Sequence, residues 1–205
     1  MTNLMPGART AAWLDIVPVR VARTSQDDEA TVTAEDPMTE PETFHFDDDG
    51  AIPNSRLPLL VYRAALPADP AAIERVFAAN RWPPAWRDGV HPFHHFHANT
   101  HEALGVARGS ASVLFGGPNG RELQVGAGDI VIVPAGVGHC NKAQSPDLLI
   151  VGAYPDNAPR PDQYRGKPAE HALVVRKIAA VPPPAADPVS GPDGPLRRIW
   201  ETAAA

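Results

Sequence analysis

The stretch HPFHHFHANTHEALGVARG, residues 91–109, contains five of the eight histidines of this 205-residue chain. His95 and His97 are two positions apart, and on a β-strand this spacing places both imidazoles on the same face. Glu102 follows after four intervening residues, which are enough for a tight reversal and entry into a next strand at 102–108. The spacing therefore predicts that two imidazoles and a carboxylate meet at one metal ion.

A fourth candidate ligand, His139, lies 37 positions beyond Glu102. It follows the apolar run Ile130–Val133 and a turn that contains Pro134 and Gly136. The alternative interpretation is a set of exposed or hydrogen-bonded histidines near a turn, without a metal. Residue spacing alone leaves both interpretations open.

Short strands and frequent turns dominate the pattern around these histidines. The chain has 24 prolines and 16 glycines, too many for a helical bundle. Several short strands separated by glycine-rich turns favour an all-β sandwich or small barrel. The predicted strands are 59–66, 102–108, 110–115, 121–125, 129–133 and 148–154.

One short helix is predicted before the barrel, at residues 70–79. Asp69 is a favourable N-cap and Pro70 suits the first helical position. Ile73 and Phe77 then follow at helical spacing. Everything beyond this helix is interpreted as β, and the proline-rich segment 181–194 is expected to run extended across the barrel surface.

The first 42 residues differ from the rest, because residues 1–50 hold 11 acidic and three basic side chains. We interpret 1–42 as an irregular N-terminal extension or linker and 43–200 as a single domain. A docking strand at 16–19 is the alternative for part of the extension. Met38, which precedes the organised region, is a possible natural start.

Composition excludes several classes of protein. No apolar run approaches the ~20 residues of a membrane-spanning helix, and no signal-peptide pattern opens the chain. The single cysteine, Cys140, cannot form an intramolecular disulfide, so we expect a cytoplasmic protein. The net charge is −6 and no basic stripe is present, which argues against nucleic acid as a partner.

Two motifs in this chain resemble those of the cupin family. Residues 89–109 match the first motif, with Gly89 and Gly109 framing the His95, His97 and Glu102 set. Residues 128–141 match the second, through Gly128, Pro134, Gly136 and His139, although its trailing asparagine is out of step, with Ala at 143 and Asn at 141. The wider stretches HHFHANTHEALGVARGSA, PAGVGH, VGAYP and DPVSGPDGPL resemble bacterial single-domain YjlB-like cupins over residues 43–200.

The resemblance implies a jelly-roll β-barrel with one divalent metal held by His95, His97, Glu102 and His139. Three imidazoles and a carboxylate suit a first-row transition metal, with iron or manganese favoured and cobalt, nickel and zinc possible. The expected function is a metal-dependent, dioxygenase-like enzyme acting on a small polar substrate. A sugar or keto-acid isomerase and a non-catalytic binding module are the alternatives, and the family resemblance implies a homodimer.

Neighbouring side chains have weaker signals. On a strand, His94 and His101 point away from the face of the adjacent ligands, whereas His91 could reach the rim. Cys140 is expected to be buried and inert, facing away from the metal. Five further residues could line the pocket or belong to ordinary core and surface: Trp82, Trp86, Phe93, Arg108 and Tyr154.

Overall fold

The structure is a computed structural model that describes residues 40–204. The predicted extension 1–42, the docking strand at 16–19 and the start at Met38 lie outside this part, apart from residues 40–42. There, β1 begins at Glu42. The strands are β1 (Glu42–Phe44), β2 (Leu59–Tyr62), β3 (Pro84–Asp88), β4 (Glu102–Arg108), β5 (Ser110–Phe115), β6 (Arg121–Gly126), β7 (Ile130–Val133), β8 (His139–Gln144) and β9 (Leu149–Ala153). The helices are α1 (Pro70–Ala79), α2 (His171–Ala179) and α3 (Pro195–Ala204).

The nine strands form two antiparallel sheets, as expected for an all-β jelly roll. The larger sheet has the order β1-β2-β7-β4-β9-β3, and the smaller sheet has the order β6-β5-β8. Apolar side chains from both sheets, such as Leu104, Val113 and Val131, form the core between them. The predicted all-β fold is confirmed.

The four central strands of the larger sheet, β2, β7, β4 and β9, are buried on both faces. The outer face of this sheet packs against α1, through Ile73 and Phe77, and against α3, through Leu196 and Trp200. A strand covered on both sides has no need of polar alternation, which explains the continuous apolar run of β7. Contact with α1 is close at Gly105, where an added Cβ would lie 2.6 Å from the Ile73 side chain.

The predicted helix at 70–79 is confirmed to the residue. The Asp69 side chain accepts a hydrogen bond from the Ala72 amide at 2.7 Å, and Pro70 occupies the first turn. Ile73 and Phe77 face the sheet and are fully buried.

The interpretation of everything after α1 as β is wrong for two segments. Residues 171–179 and 195–204 are helical, although the LVV run in α2 favours a strand by local propensity. The available signal for α3 was Pro195 at its start and the four-residue spacing of Leu196 and Trp200. Strands β1, β3 and β8 were also not predicted.

The segment 181–194 is not extended throughout, in contrast to the prediction. Asp187 and Gly191 form a bridge that closes a turn, and Asp187 is completely buried. Its carboxylate accepts hydrogen bonds from the hydroxyl of Tyr62 and from the amides of Val189, Ser190 and Leu196. One carboxylate thus joins β2 to the turn and to the first turn of α3.

Within the described residues, no helix has both the length and the apolar character that crossing a membrane requires.

Replacing Asp187 with Ala is expected to lower the free energy of unfolding by about 3 kcal/mol, because it leaves several buried donors without an acceptor. Urea denaturation followed by circular dichroism measures the change. The matched control is Asp193→Ala, an exposed acid of the same segment, which is expected to leave stability within about 0.5 kcal/mol. Equal stability of the two variants would contradict a structural role of Asp187.

Candidate metal centre

The two histidine motifs are joined directly by backbone hydrogen bonds. The amide of His95 donates to the carbonyl of His139 at 3.1 Å, and the amide of His139 donates to the carbonyl of His95 at 2.9 Å. Residues paired in this way in an antiparallel ladder have their side chains on the same face. His95 therefore lies in a short bridge outside the named strands. This bridge places its ring beside that of His139.

The structure brings the four predicted side chains together. One ring nitrogen from each of His95, His97 and His139 lies within 4.8 Å of the others. Glu102 Oε2 lies 3.5 Å from His97 Nε2 and 3.4 Å from His139 Nε2. His95, Glu102 and His139 are buried, and His97 is only slightly exposed.

The backbone determines which nitrogen of each imidazole is available. The Nδ1 atoms of His95 and His139 lie 3.2 Å from the carbonyls of Phe93 and Val137. Nδ1 of His97 is hydrogen-bonded to the carbonyl of Asp162. A carbonyl only accepts, so each neutral ring has its proton on Nδ1 and presents the lone pair of Nε2 to the centre.

The carboxylate of Glu102 adds a further lone pair at the same place. Oε1 accepts a hydrogen bond from the hydroxyl of Tyr154 at 2.7 Å, whereas Oε2 is buried and has no hydrogen-bond partner among the described residues. Lone pairs of one oxygen and two imidazoles that face each other at about 3.5 Å repel unless a cation lies between them. The donor set therefore fits a transition metal ion.

The pKa values of the cluster reflect competition between burial and the Glu102 charge. Burial, and secondarily His139, lowers the pKa of His95 to about 3. Burial also acts to lower the pKa of His97, but Glu102 outweighs it, and the pKa is raised. Burial acts to raise the pKa of Glu102, yet His97 and His139 hold it well below its ordinary value. The charge of Glu102 therefore favours a proton on His97 when no metal is bound.

A cavity of about 290 Å³ lies beside this cluster. Trp86, Val90 and Leu104 form its apolar wall, and Tyr154 and Gln163 contribute polar groups. The Trp86 indole packs against Gly152, where an added Cβ would lie 1.9 Å from the ring.

The structure places several side chains for which the sequence allowed either a pocket position or an ordinary core or surface position. Trp86 lines the cavity and donates from Nε1 to the Tyr154 hydroxyl at 3.1 Å. Trp82 belongs to the core on the outer face of the sheet, and Arg108 is exposed at the end of β4. Phe93 stacks on His91, which lines the cavity.

The other histidines and the cysteine follow the expectations in part. His94 lies outside the cluster, and Cys140 is buried. His101 is buried against Trp200, with ring centroids 4.7 Å apart, and burial lowers its pKa to about 4.

Sequence reasoning missed the residues that support His97. The Asp162 carbonyl binds its ring, and Asp162 Oδ1 accepts from the Ala98 amide at 2.7 Å. Lys177 of α2 donates to Asp162 Oδ2 at 2.6 Å. No spacing pattern links these positions to the motifs, because they come from a loop and a helix far along the chain.

Comparisons with known proteins agree with this architecture. The cupin family model matches residues 87–167. The uncharacterized protein YjlB of Bacillus subtilis (strain 168) is 42% identical over 162 residues, which cover 78% of this chain and 97% of that protein.

Two solved structures are more distant. A DUF861 family protein of Thermotoga maritima is 19% identical, with a TM-score of 0.28. The aligned region covers 38% of this chain and 83% of that protein. Bacillus subtilis oxalate decarboxylase, described with Mn(II) centres, is also 19% identical, covering 53% of this chain and 27% of its own with a TM-score of 0.32.

In protein freed of metal by a chelator, His97 is expected to titrate above the ordinary histidine value of 6.5, and His95 to stay neutral down to about pH 3. Glu102→Gln removes the charge that raises the His97 pKa, so this pKa should fall below 6.5, because burial remains. NMR titration of the imidazoles measures both values. Since the folded pKa of His97 is raised, its pairing with Glu102 stabilises the protein below pH 6.5 and loses effect as pH rises through the folded value.

The matched control is Glu42→Gln. This substitution removes an exposed carboxylate that pairs with Arg63, the residue directly after β2. The His97 pKa should not change in this variant. A His97 pKa that is the same in native and Glu102→Gln protein would contradict the electrostatic interpretation of the cluster.

Proposed function

This chain belongs to the cupin family, and on that premise we propose that it is a metal-dependent enzyme of the dioxygenase type that acts on a small polar substrate. The proposed ligands of one divalent ion are His95, His97, Glu102 and His139. Iron and manganese are the favoured metals, since both accept a mixed imidazole and carboxylate set.

The observation that carries the proposal is the convergence of lone pairs beside an open cavity. Ring nitrogens of His95, His97 and His139 lie within 4.8 Å of one another, and Glu102 Oε2, which has no hydrogen-bond partner among the described residues, lies 3.5 and 3.4 Å from Nε2 of His97 and His139. The cavity of about 290 Å³ adjoins this point, so a small molecule can approach the ion. A purely structural metal site is closed, whereas a catalytic site keeps positions accessible.

A bound metal supplies Lewis acidity and a place for substrate oxygens and dioxygen. The residues of this chain orient the ligands and shape the cavity. Tyr154 holds Oε1 of Glu102, which turns Oε2 toward the imidazoles. Trp86, Val90 and Leu104 exclude water from one side of the cavity, and Gln163 offers an amide for a polar substrate group.

A metal-dependent isomerase is the second candidate, because the cavity contains side chains that can transfer a proton. An isomerase needs a base within hydrogen-bond reach of the substrate. Asp88 and His91 line the cavity and offer such groups. The Tyr154 hydroxyl donates to Glu102 and accepts from Trp86, and burial raises its pKa above the ordinary value. Consumption of dioxygen distinguishes an oxygenase from an isomerase.

The cavity volume limits the substrate to a small molecule, because ligand pockets commonly measure about 300–1,000 Å³. A homodimer, a cytoplasmic location and the absence of a nucleic-acid partner stay predictions.

The native protein, purified without added metal, is expected to contain iron or manganese near one ion per chain by elemental analysis. The His95→Ala/His97→Ala double variant should contain none, because it removes two of four ligands. The matched control is His94→Ala, a neighbouring histidine outside the cluster, which should keep its metal. The loaded native protein should consume dioxygen with 2-oxo acids, 1,2-diols or β-diketones in an oxygen electrode.

Each element of the proposal has its own contrary result. Absence of metal in native protein, even after anaerobic reconstitution, would contradict the four-ligand site. Stoichiometric zinc or nickel would argue against oxygenation while preserving the site. Metal without any turnover would favour the non-catalytic binding module.

Tyr154→Phe is expected to weaken metal binding by about 10- to 100-fold, because Glu102 Oε1 loses the donor that orients the carboxylate. Competition with a chromophoric chelator measures the affinity. Tyr164→Phe is the matched control, since Tyr164 stacks on Phe96 and its hydroxyl is bound by Lys177. Equal affinities of the two variants would show that Tyr154 does not position Glu102.

A further inference from the structure

A second cavity, of about 400 Å³, lies between α2, α3 and the loop after β1. Its walls include Leu57, Val175, Ile178, Val181 and Trp200, and His101 contributes to its floor. We call this the outer cavity. None of these six residues lines the cavity beside the metal cluster. Its volume lies within the range of small-molecule binding pockets.

The floor of the outer cavity contains an unused hydrogen-bond donor. His101 is only 2% exposed, and its Nδ1 accepts a hydrogen bond from the Ala135 amide at 3.0 Å. An imidazole that accepts at Nδ1 is neutral and has its proton on Nε2. This Nε2 makes no hydrogen bond of good geometry to the described residues, although the Pro182 backbone makes a polar contact with the ring that acts to raise its pKa.

A buried donor without an acceptor is costly, by about 1–3 kcal/mol, and such groups in folded proteins usually have a reason. Nε2 is itself covered, and the Trp200 ring lies beside the imidazole, so a local rearrangement is required for a ligand atom to reach Nε2. An acceptor oxygen at this position satisfies the donor.

The walls and the rim define the chemistry of the occupant. The walls are mainly apolar, and Val175 remains 39% exposed on α2. The lining also includes side chains of both signs of charge, Arg56, Asp48 and Glu201. A neutral imidazole in an apolar floor does not compensate a buried carboxylate, so a neutral ligand is favoured over an anion.

We propose that the outer cavity binds a neutral, mainly apolar small molecule with one carbonyl oxygen, which accepts a hydrogen bond from Nε2–H of His101. The site is separate from the metal cluster, and the proposal does not depend on the activity proposed above.

The test uses the full-length protein and prodan, a neutral naphthyl ketone whose emission shifts to the blue and intensifies in apolar surroundings. Native protein is expected to bind prodan saturably with one site per chain. The imidazole Nε2–H resonance of His101 is expected to shift on binding in NMR spectra of the native protein. No substitution of the buried His101 is needed for this readout.

Two variants of the same helix provide the matched comparison. Val175→Glu places a charge in the wall and should weaken prodan binding by at least about 10-fold. Leu173→Glu is the control, because Leu173 is 50% exposed on α2 and does not line the cavity. Its affinity should equal that of the native protein, and circular dichroism should show both variants folded.

Three results would overturn the proposal. The first is the absence of saturable binding to native protein, including the case in which another part of the chain fills the cavity. The second is an equal loss in both variants, which would indicate binding to the exposed helix surface. The third is binding that leaves the His101 Nε2–H resonance unchanged.

Discussion

A buried carboxylate surrounded by imidazole lone pairs is the constraint on which this molecule depends. Glu102 is ionised, only 3% exposed, and one of its oxygens has no hydrogen-bond partner among residues 40–204. Such a group is stable inside a protein only beside a cation. The Glu102 charge favours a proton on His97 in the metal-free chain, and a metal ion is the proposed occupant at the same place. Electrostatics thus links the stability of the barrel to its chemistry.

Strand β4 connects this site to the rest of the fold. Glu102, Leu104 and Val106 face the interior between the sheets, while Ala103, Gly105 and Ala107 face the outer layer. The outer layer consists of α1 and α3, and Asp187 attaches the start of α3 to β2. The helices on the outer face of the sheet therefore support β4. The first residue of β4, Glu102, contributes its carboxylate on the inner face.

Much of the fold and the proximity of the candidate ligands were predictable from local pattern. The glycine-rich turns between strands, the two-residue spacing of His95 and His97, and the Asp69–Pro70 start of α1 each depend on neighbours in sequence. The helices α2 and α3 were not predicted, because their short apolar faces can be recognised only from the side chains against which they pack. The β-branched run in α2 favours a strand until Val174 and Ile178 pack against Phe96.

The sequence by itself determined six of the nine strands of the described residues, the first helix and the candidate ligands, since spacing along a chain decides which side chains share a face. Only the tertiary structure decided which nitrogen His97 presents and which oxygen of Glu102 is left free. Those choices come from the Asp162 carbonyl, 65 positions from His97, and from the Tyr154 hydroxyl, 52 positions from Glu102. Contacts between such distant positions have no local signature, because they form only when the folded backbone brings separate elements together.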